Sequence, residues 1–242
     1  MTTSSNRSPP ILIGHRGARG LAPENTLLGL DTGIRAGCPW VEFDVQLHRT
    51  GELFLLHDLT LERTTNGSGL ATQAPWEMLR SLDAGARQHI PTLDEALDLV
   101  DGRAVVNIEL KTWDGTASAV ARLLVERIQA GLPPEKLLVS SFHLPELYEF
   151  KQRLPQVPVG VLFCGVPLDY AAAATELEAV SINLSSEFVD SRIVTDAKAR
   201  GLAVYVYTVN RPEELDWLVR MGVDGVFTDY PDRLMVGLKK AA

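Results

Sequence analysis

Two histidines, three carboxylates and two cationic side chains fall in or just after short apolar stretches of this chain, and their spacing suits metal-assisted phosphoryl chemistry. Glu42 and Asp44 stand two apart in Trp40-Val41-Glu42-Phe43-Asp44-Val45. On an extended strand such residues share a face, so both carboxylates point one way and Phe43 the other. The apolar flanks argue for burial rather than for a solvated strand face. Burial of like charges costs on the order of several kcal/mol per ion unless a cation or several hydrogen bonds compensate. Hard oxygen donors of this kind suit one divalent cation, Mg²⁺ or Ca²⁺, with Mn²⁺ as a further candidate. Glu109 and Lys111 repeat the pattern after Val105-Val106-Asn107-Ile108. Glu109 can supply a third ligand and Lys111 can hold an anion bound by the same ion, the plain alternative being an internal salt bridge between the two. A Schiff-base lysine is disfavoured, because the surrounding carboxylates keep the amine protonated.

His15 and Arg16 follow the run Ile11-Leu12-Ile13-Gly14, and His57 follows Glu52-Leu53-Phe54-Leu55-Leu56. With ordinary pKa values of about 6.5, two histidines can divide proton acceptance and donation between them. His48, His89 and His143 fall in a turn, an irregular stretch and a helix start, and are expected to be bystanders. Arg16 and Lys111 place positive charge beside the anticipated metal. That combination suits a phosphodiester, whose charge grows toward the transition state. Acyl transfer is the poorer match, since no Gly-x-Ser-x-Gly elbow occurs.

The elements that must position these groups alternate between strand and helix. The first strand, Ile11 to Gly14, leads through a glycine-punctuated turn into a helical stretch from Glu24 to Ala36 that Gly37 stops. Trp40 to Val45 is the second strand, with Glu52 to Leu56 returning as a hairpin through Thr50-Gly51. From about residue 59 to 90 the alternation lapses, and this stretch reads as an insertion over the active face with only a short helix near Trp76 to Leu82. Thr92 and Glu95 form a capping box for a helix running to Val100. Six further strands are expected at Ala104 to Glu109, Leu137 to Ser140, Val159 to Phe163, Ala179 to Asn183, Ala203 to Tyr207 and Gly222 to Phe227. Helical stretches lie between them near Ala117 to Ala130, Leu144 to Arg153, Leu168 to Thr175, Ser191 to Arg200 and Pro212 to Met221. The pattern predicts an α/β protein, a TIM (β/α)8 barrel with a small insertion after the second strand, formed as a single domain by residues 11–242. An open dinucleotide-binding sheet ranks below it, because Gly14, Gly17 and Gly20 do not have the Gly-x-Gly-x-x-Gly spacing.

At 242 residues the chain is long enough for one such barrel. Its formal net charge of −8, from 31 acidic against 23 basic side chains, repels nucleic-acid backbones and anionic membranes on average. A phosphate site must therefore be a local basic pocket. Residues 1–10 are rich in Ser, Thr and Pro and read as a disordered lead-in rather than a signal peptide. No apolar run approaches membrane-spanning length. Cys38 and Cys164 lack metal-ligand spacing, are read as packing residues and suit a reducing cytosol. A cytoplasmic protein without nucleic-acid or stable membrane partners is expected, and nothing in the sequence sets an oligomeric state.

The succession HRGARGLAPENT, EFDVQLHRTGELFLLHDLTLERTTNGSG, IPTLDEAL, NIELK, SSF, YTVN and GVDGVFTDYP resembles the glycerophosphodiester phosphodiesterase family in order and spacing, over nearly the whole chain beyond the first ten residues. The resemblance implies a divalent metal and hydrolysis of glycerophosphodiesters, such as glycerophosphocholine or glycerophosphoethanolamine, to sn-glycerol 3-phosphate and an alcohol. By position, His15 and His57 match the family's acid and base pair, Glu42, Asp44 and Glu109 its metal ligands, and Arg16 and Lys111 its phosphate contacts. Asn25 matches a position near the substrate, although an asparagine there can equally serve its own loop. Tyr207 stands where many relatives carry tryptophan, which keeps an aromatic wall for the substrate but changes its size and adds a hydroxyl. Phe142 can line the same pocket, with core packing the expected role. The nucleophile can be water or the glycerol 2-hydroxyl. Two alternatives are a lysophospholipase D-like enzyme, which would need an apolar patch beside the site, and a non-catalytic ligand-binding barrel, which would be missing a histidine or ligand.

Overall fold

The computed structural model describes residues 9–241, so most of the expected lead-in, residues 1–8, lies outside the described residues. The strands are β1 (Ile11–Gly14), β2 (Trp40–Leu47), β3 (Leu53–Leu55), β4 (Val105–Leu110), β5 (Leu137–Ser141), β6 (Val159–Phe163), β7 (Ser181–Ser185), β8 (Ala203–Tyr207) and β9 (Gly225–Thr228). The helices are α1 (Leu27–Arg35), α2 (Trp76–Ser81), α3 (Leu93–Val100), α4 (Thr116–Gln129), α5 (Leu144–Arg153), α6 (Ala172–Glu176), α7 (Ser191–Ala199), α8 (Pro212–Met221) and α9 (Pro231–Ala241). Their strand order is β1-β9-β8-β7-β6-β5-β4-β2, and β1 closes on β2. All eight of these strands are parallel, the closed barrel of the TIM fold.

β2 is the long strand, and its length explains the insertion. Trp40 and Val41 pair with β1, while Val45 to Leu47 rise above that edge and pair antiparallel with β3. The hairpin thus carries His57 back to the C-terminal strand ends, where Leu56 donates its N–H to the Asp44 carbonyl. Phe54 and Leu56 of the hairpin join Leu61, Leu79, Leu82 and Ile90 beyond it in a separate apolar cluster.

Two apolar shells hold the barrel. Val41, Phe43 and Val45 of β2 pack outward with residues of the helices in one large cluster. Inside, Ile13, Leu138, Tyr205 and Phe227, with Trp40 against them, form a small plug. Glu42 and Asp44 lie on the inward face above Trp40, and the register sets Asp44 beside Glu109. β4 reaches that position because its outward residues Val106, Ile108 and Leu110 are buried while Glu109 faces in.

The structure also moves some boundaries. The first helix starts at Leu27 rather than Glu24, because Asn25 adopts φ +54° and Thr26 caps the helix by accepting from the Gly29 N–H. The capping box of Thr92 and Glu95 forms as read. The helix expected from Leu168 is confined to Ala172–Glu176, since Tyr170 has φ +50° and breaks the run. Cys38 is buried, but Cys164 is exposed past the end of β6 and does not pack.

Candidate active site

The turn after β1 is shaped by backbone before it is shaped by charge. Gly17 has φ +85°, and a Cβ there would sit 2.4 Å from the Gly29 carbonyl carbon in α1. Only glycine lets the turn press onto the helix in this way. The closure brings the Arg16 N–H to 2.8 Å from Glu42 Oε2 and ties the turn to β2.

Glu42, Asp44 and Glu109 each turn an oxygen inward, and these oxygens lie within 4.8 Å of one another. All three are buried, and Glu42 Oε1 has no hydrogen-bond partner among the described residues. Burial, and then the neighbouring charges of Asp44 and Glu109, hold Glu42 well above the usual carboxylate range. Burial and Asp44 push Glu109 up to about 7 against the opposing pull of Lys111. An orphaned buried oxygen in an all-carboxylate set fits a divalent cation, and it fits nothing apolar.

Cations border the trio. Lys111 Nζ donates to Glu109 Oε1 at 2.8 Å and lies 3.7 Å from Asp44 Oδ1. Arg16 Nε is 3.3 Å from Asp44 Oδ2, while its Nη1 donates to Glu24 Oε1 at 2.8 Å. Burial opposes the charge on both, but the carboxylates around them outweigh it and keep both protonated. Asn25 joins this set from behind: its Nδ2 donates to Asp44 Oδ2 at 2.8 Å, and its Oδ1 accepts from the Asp44 N–H at 3.1 Å.

Each histidine is gripped at Nδ1 by an aspartate. His15 meets Asp229 Oδ1 at 2.7 Å, and Asp229 also accepts from Asn210 and faces Arg19 at 2.9 Å. His57 meets Asp58 Oδ1 at 2.6 Å, and Arg63 donates to Asp58 from the other side. Because an ionised carboxylate only accepts, Nδ1 carries the hydrogen and Nε2 is left for the cavity. Burial is the main cause lowering both imidazoles below their ordinary pKa, with Arg16 adding to it and the aspartates resisting.

His15, Arg16, Glu42, His57, Glu109, Lys111, Phe142 and Tyr207 are among the side chains lining one cavity of about 170 Å³. Asn25 is not in its lining; both ends of its amide are taken up by Asp44. Tyr207 forms part of the wall with its hydroxyl donating to the Phe163 carbonyl at 2.8 Å. Phe142 departs from the expected core role: it is 41% exposed, its ring edge-on to Tyr207 with the Lys111 ammonium 5.7 Å away. The bystander histidines are elsewhere, His48 buried against the Ala74 carbonyl and His143 capping α5. A larger groove of about 450 Å³ beside Arg49, Gln73 and Trp113 holds neither the acidic trio nor His15 and His57, so volume alone is no guide here.

Sequence reasoning assigned no part to Asp229, Asp58, Glu24, Arg63 or Asn210. Asp58 was within reach, since it adjoins His57. The others depend on folding, Asp229 most of all, because 214 residues separate it from His15.

Carboxylates that repel one another in a dry pocket, bordered by two cationic side chains and two aspartate-held imidazoles, suit the meeting of a divalent cation with an anion. The fold and the site accordingly define a (β/α)8-barrel hydrolase of phosphodiesters. The comparisons agree. The profile of the glycerophosphoryl diester phosphodiesterase family matches residues 15–233. A glycerophosphodiester phosphodiesterase of Caldanaerobacter subterraneus subsp. tengcongensis is 32% identical over 239 residues, covering 95% of this chain and 98% of the relative. One of Bacillus altitudinis is 32% identical over 92% of this chain and 95% of its own. The solved structure of an Oleispira antarctica phosphodiesterase in complex with the product sn-glycerol-3-phosphate superposes with TM-score 0.87 at 33% identity, covering 95% of this chain and 97% of that one. The chain belongs to the glycerophosphoryl diester phosphodiesterase family.

Proposed function

We propose that this protein hydrolyses glycerophosphodiesters such as glycerophosphocholine or glycerophosphoethanolamine to sn-glycerol 3-phosphate and an alcohol, with Glu42, Asp44 and Glu109 holding one divalent cation, Mg²⁺, Ca²⁺ or Mn²⁺. The observation that carries the reading is that two aspartate-held imidazoles open on the same cavity as a buried acidic trio. When bound, the cation would stabilise charge building on the phosphate oxygens.

Arg16 and Lys111, the cations in the cavity wall, answer the remaining charge of the diester. One imidazole, neutral, takes the proton of the attacking hydroxyl at Nε2. The other, protonated, gives its proton to the departing alkoxide as the P–O bond breaks. Asp58 and Asp229 hold the ring orientations this exchange needs. Asn25 aims Asp44 rather than meeting substrate, and Tyr207 bounds the alcohol side. The two free thiols support a reducing, cytoplasmic setting.

The test is release of sn-glycerol 3-phosphate from both substrates by chelator-stripped protein refilled with each ion in turn. Metal-dependent release is expected; no release with any ion, from folded protein, overturns the reading.

One observation favours a second substrate class. Phe142 is exposed while lining the cavity, and Leu162, Tyr207 and Phe227 line it with that ring. This apolar side of the site suits the acyl chain of a lysophospholipid presented to the same phosphodiester site. Turnover of lysophosphatidylcholine with KM falling as the chain lengthens would support it, and chain-independent kinetics would refute it.

A further inference from the structure

Arg63 belongs to the insertion, yet its guanidinium reaches two carboxylates that serve the site. It donates to Asp58 Oδ2 at 2.6 Å from Nε and to Asp58 Oδ1 at 3.0 Å from Nη2. It also donates to Glu24 Oε2 at 2.9 Å and to Glu24 Oε1 at 2.7 Å. Asp58 holds His57, and Glu24 holds Arg16. One side chain therefore ties together the supports of the His57 imidazole and of the Arg16 guanidinium, both in the cavity wall. The apolar cluster of the insertion is separate from the barrel core, and Arg63 adds a polar tie from the insertion to the strand ends beside the pairing of β3 with β2.

We propose that Arg63 is a positioning residue, which clamps the insertion onto the catalytic face and holds His57 in its working orientation. The planar fork makes the role specific to arginine: it satisfies two carboxylates at once, which a lysine ammonium cannot do with the same geometry. Besides Asp58, the charged groups facing His57 are Asp44, Arg16 and Lys111. Loss of Arg63 leaves those in place, returns more of the Asp58 carboxylate to His57 and makes that imidazole more basic. The proposal rests on His57 being one of the two proton-transfer groups.

The experiment compares Arg63→Gln, Arg63→Lys and a control, Arg127→Gln. Arg127 makes a similar surface fork to Asp94 and Asp98, and lines no part of the cavity. Steady-state kinetics across pH are measured on metal-loaded enzyme, and the five histidines are titrated by NMR on metal-free protein. For Arg63→Gln, kcat is expected to fall about tenfold through misplacement of His57 with KM little changed. His57 should titrate about half a pH unit higher while His15 stays where it was. Arg63→Lys should recover part of kcat, and Arg127→Gln should behave as wild type. If Arg63→Gln does not fold, Asp58→Asn and the Asp58→Asn/Arg63→Lys pair replace it, and the second substitution should add little to the first. Unchanged kcat and an unmoved His57, equal losses in the Arg127 control, or fully additive effects would each overturn the proposal. The titration requires no substrate, so failure of the clamp is told apart from failure of the proposed reaction.

Discussion

The two histidine–aspartate couples look alike in chemistry and differ in what carries them. His15 and Asp229 come from the ends of β1 and β9, adjacent parallel strands, and their side chains are only 13% and 7% exposed. His57 and Asp58 come from the loop that opens the insertion, at 31% and 26% exposure. The first couple is positioned by the sheet ladder and cannot shift without disturbing the barrel. The second is positioned by side chains, Arg63 above all. The two groups proposed to exchange protons with one substrate thus stand on supports of unequal stiffness, and the difference separates the parts of this site that are scaffold from those that are adjustable.

The largest test of that contrast removes the imidazoles. His15→Ala and His57→Ala are each expected to lower kcat about 10²- to 10⁴-fold, the range of general acid–base catalysis, while metal content by elemental analysis stays at wild-type stoichiometry. Glu42→Ala should lose metal and activity together. A histidine variant near wild-type rate would remove that residue from the proton exchange.

A smaller effect separates the couples. Asp229→Asn should cost about 10²-fold or more in kcat, since a neutral amide no longer selects the Nδ1–H tautomer in a rigid site. Asp58→Asn should cost about tenfold, because a loop-borne, partly exposed ring can readjust. Equal losses would show that the supports are equally stiff.

The smallest effect is on stability in acid. Burial pushes the Asp229 carboxyl up, but hydrogen bonds from His15 and Asn210 and the charge of Arg19 outweigh it and hold it at about 2 against an ordinary 3.8. A group depressed in the folded state stabilises it above its ordinary pKa, and that contribution, about 2 kcal/mol, disappears as pH falls through 3.8 toward 2. Urea midpoints at pH 6 and pH 3 should therefore differ less in Asp229→Asn than in wild type. Asp58 is also held below its usual range, by Arg63 first, but its exposure screens the effect, and Asp58→Asn should leave the acid response nearly unchanged.

Legibility in the sequence followed the same division. Local periodicity exposed Glu42, Asp44 and Glu109, because a strand with period two and apolar alternate positions shows which face a charge must occupy. Strand-end turns exposed His15 and His57. What stayed hidden were partners set by closure of the barrel. Asp229 is unremarkable in a Thr-Asp-Tyr turn until β9 lies beside β1, and Glu24 reads as a helix residue until Asn25 turns the backbone left-handed. Of the two roles open to Phe142 the structure gives the pocket wall rather than the expected core, because Lys111 and Tyr207 lie beside it at the mouth and nothing local in the sequence reveals them. Cys164 was misread, as a small apolar residue one step past the end of its strand.

The inner plug of Ile13, Leu138, Tyr205 and Phe227 closes the barrel floor beneath the carboxylates. Traffic through the site therefore runs one way in and the same way out. For the proposed reaction, a product held at the bottom would leave after whatever lies above it and compete with incoming substrate for the vacated floor.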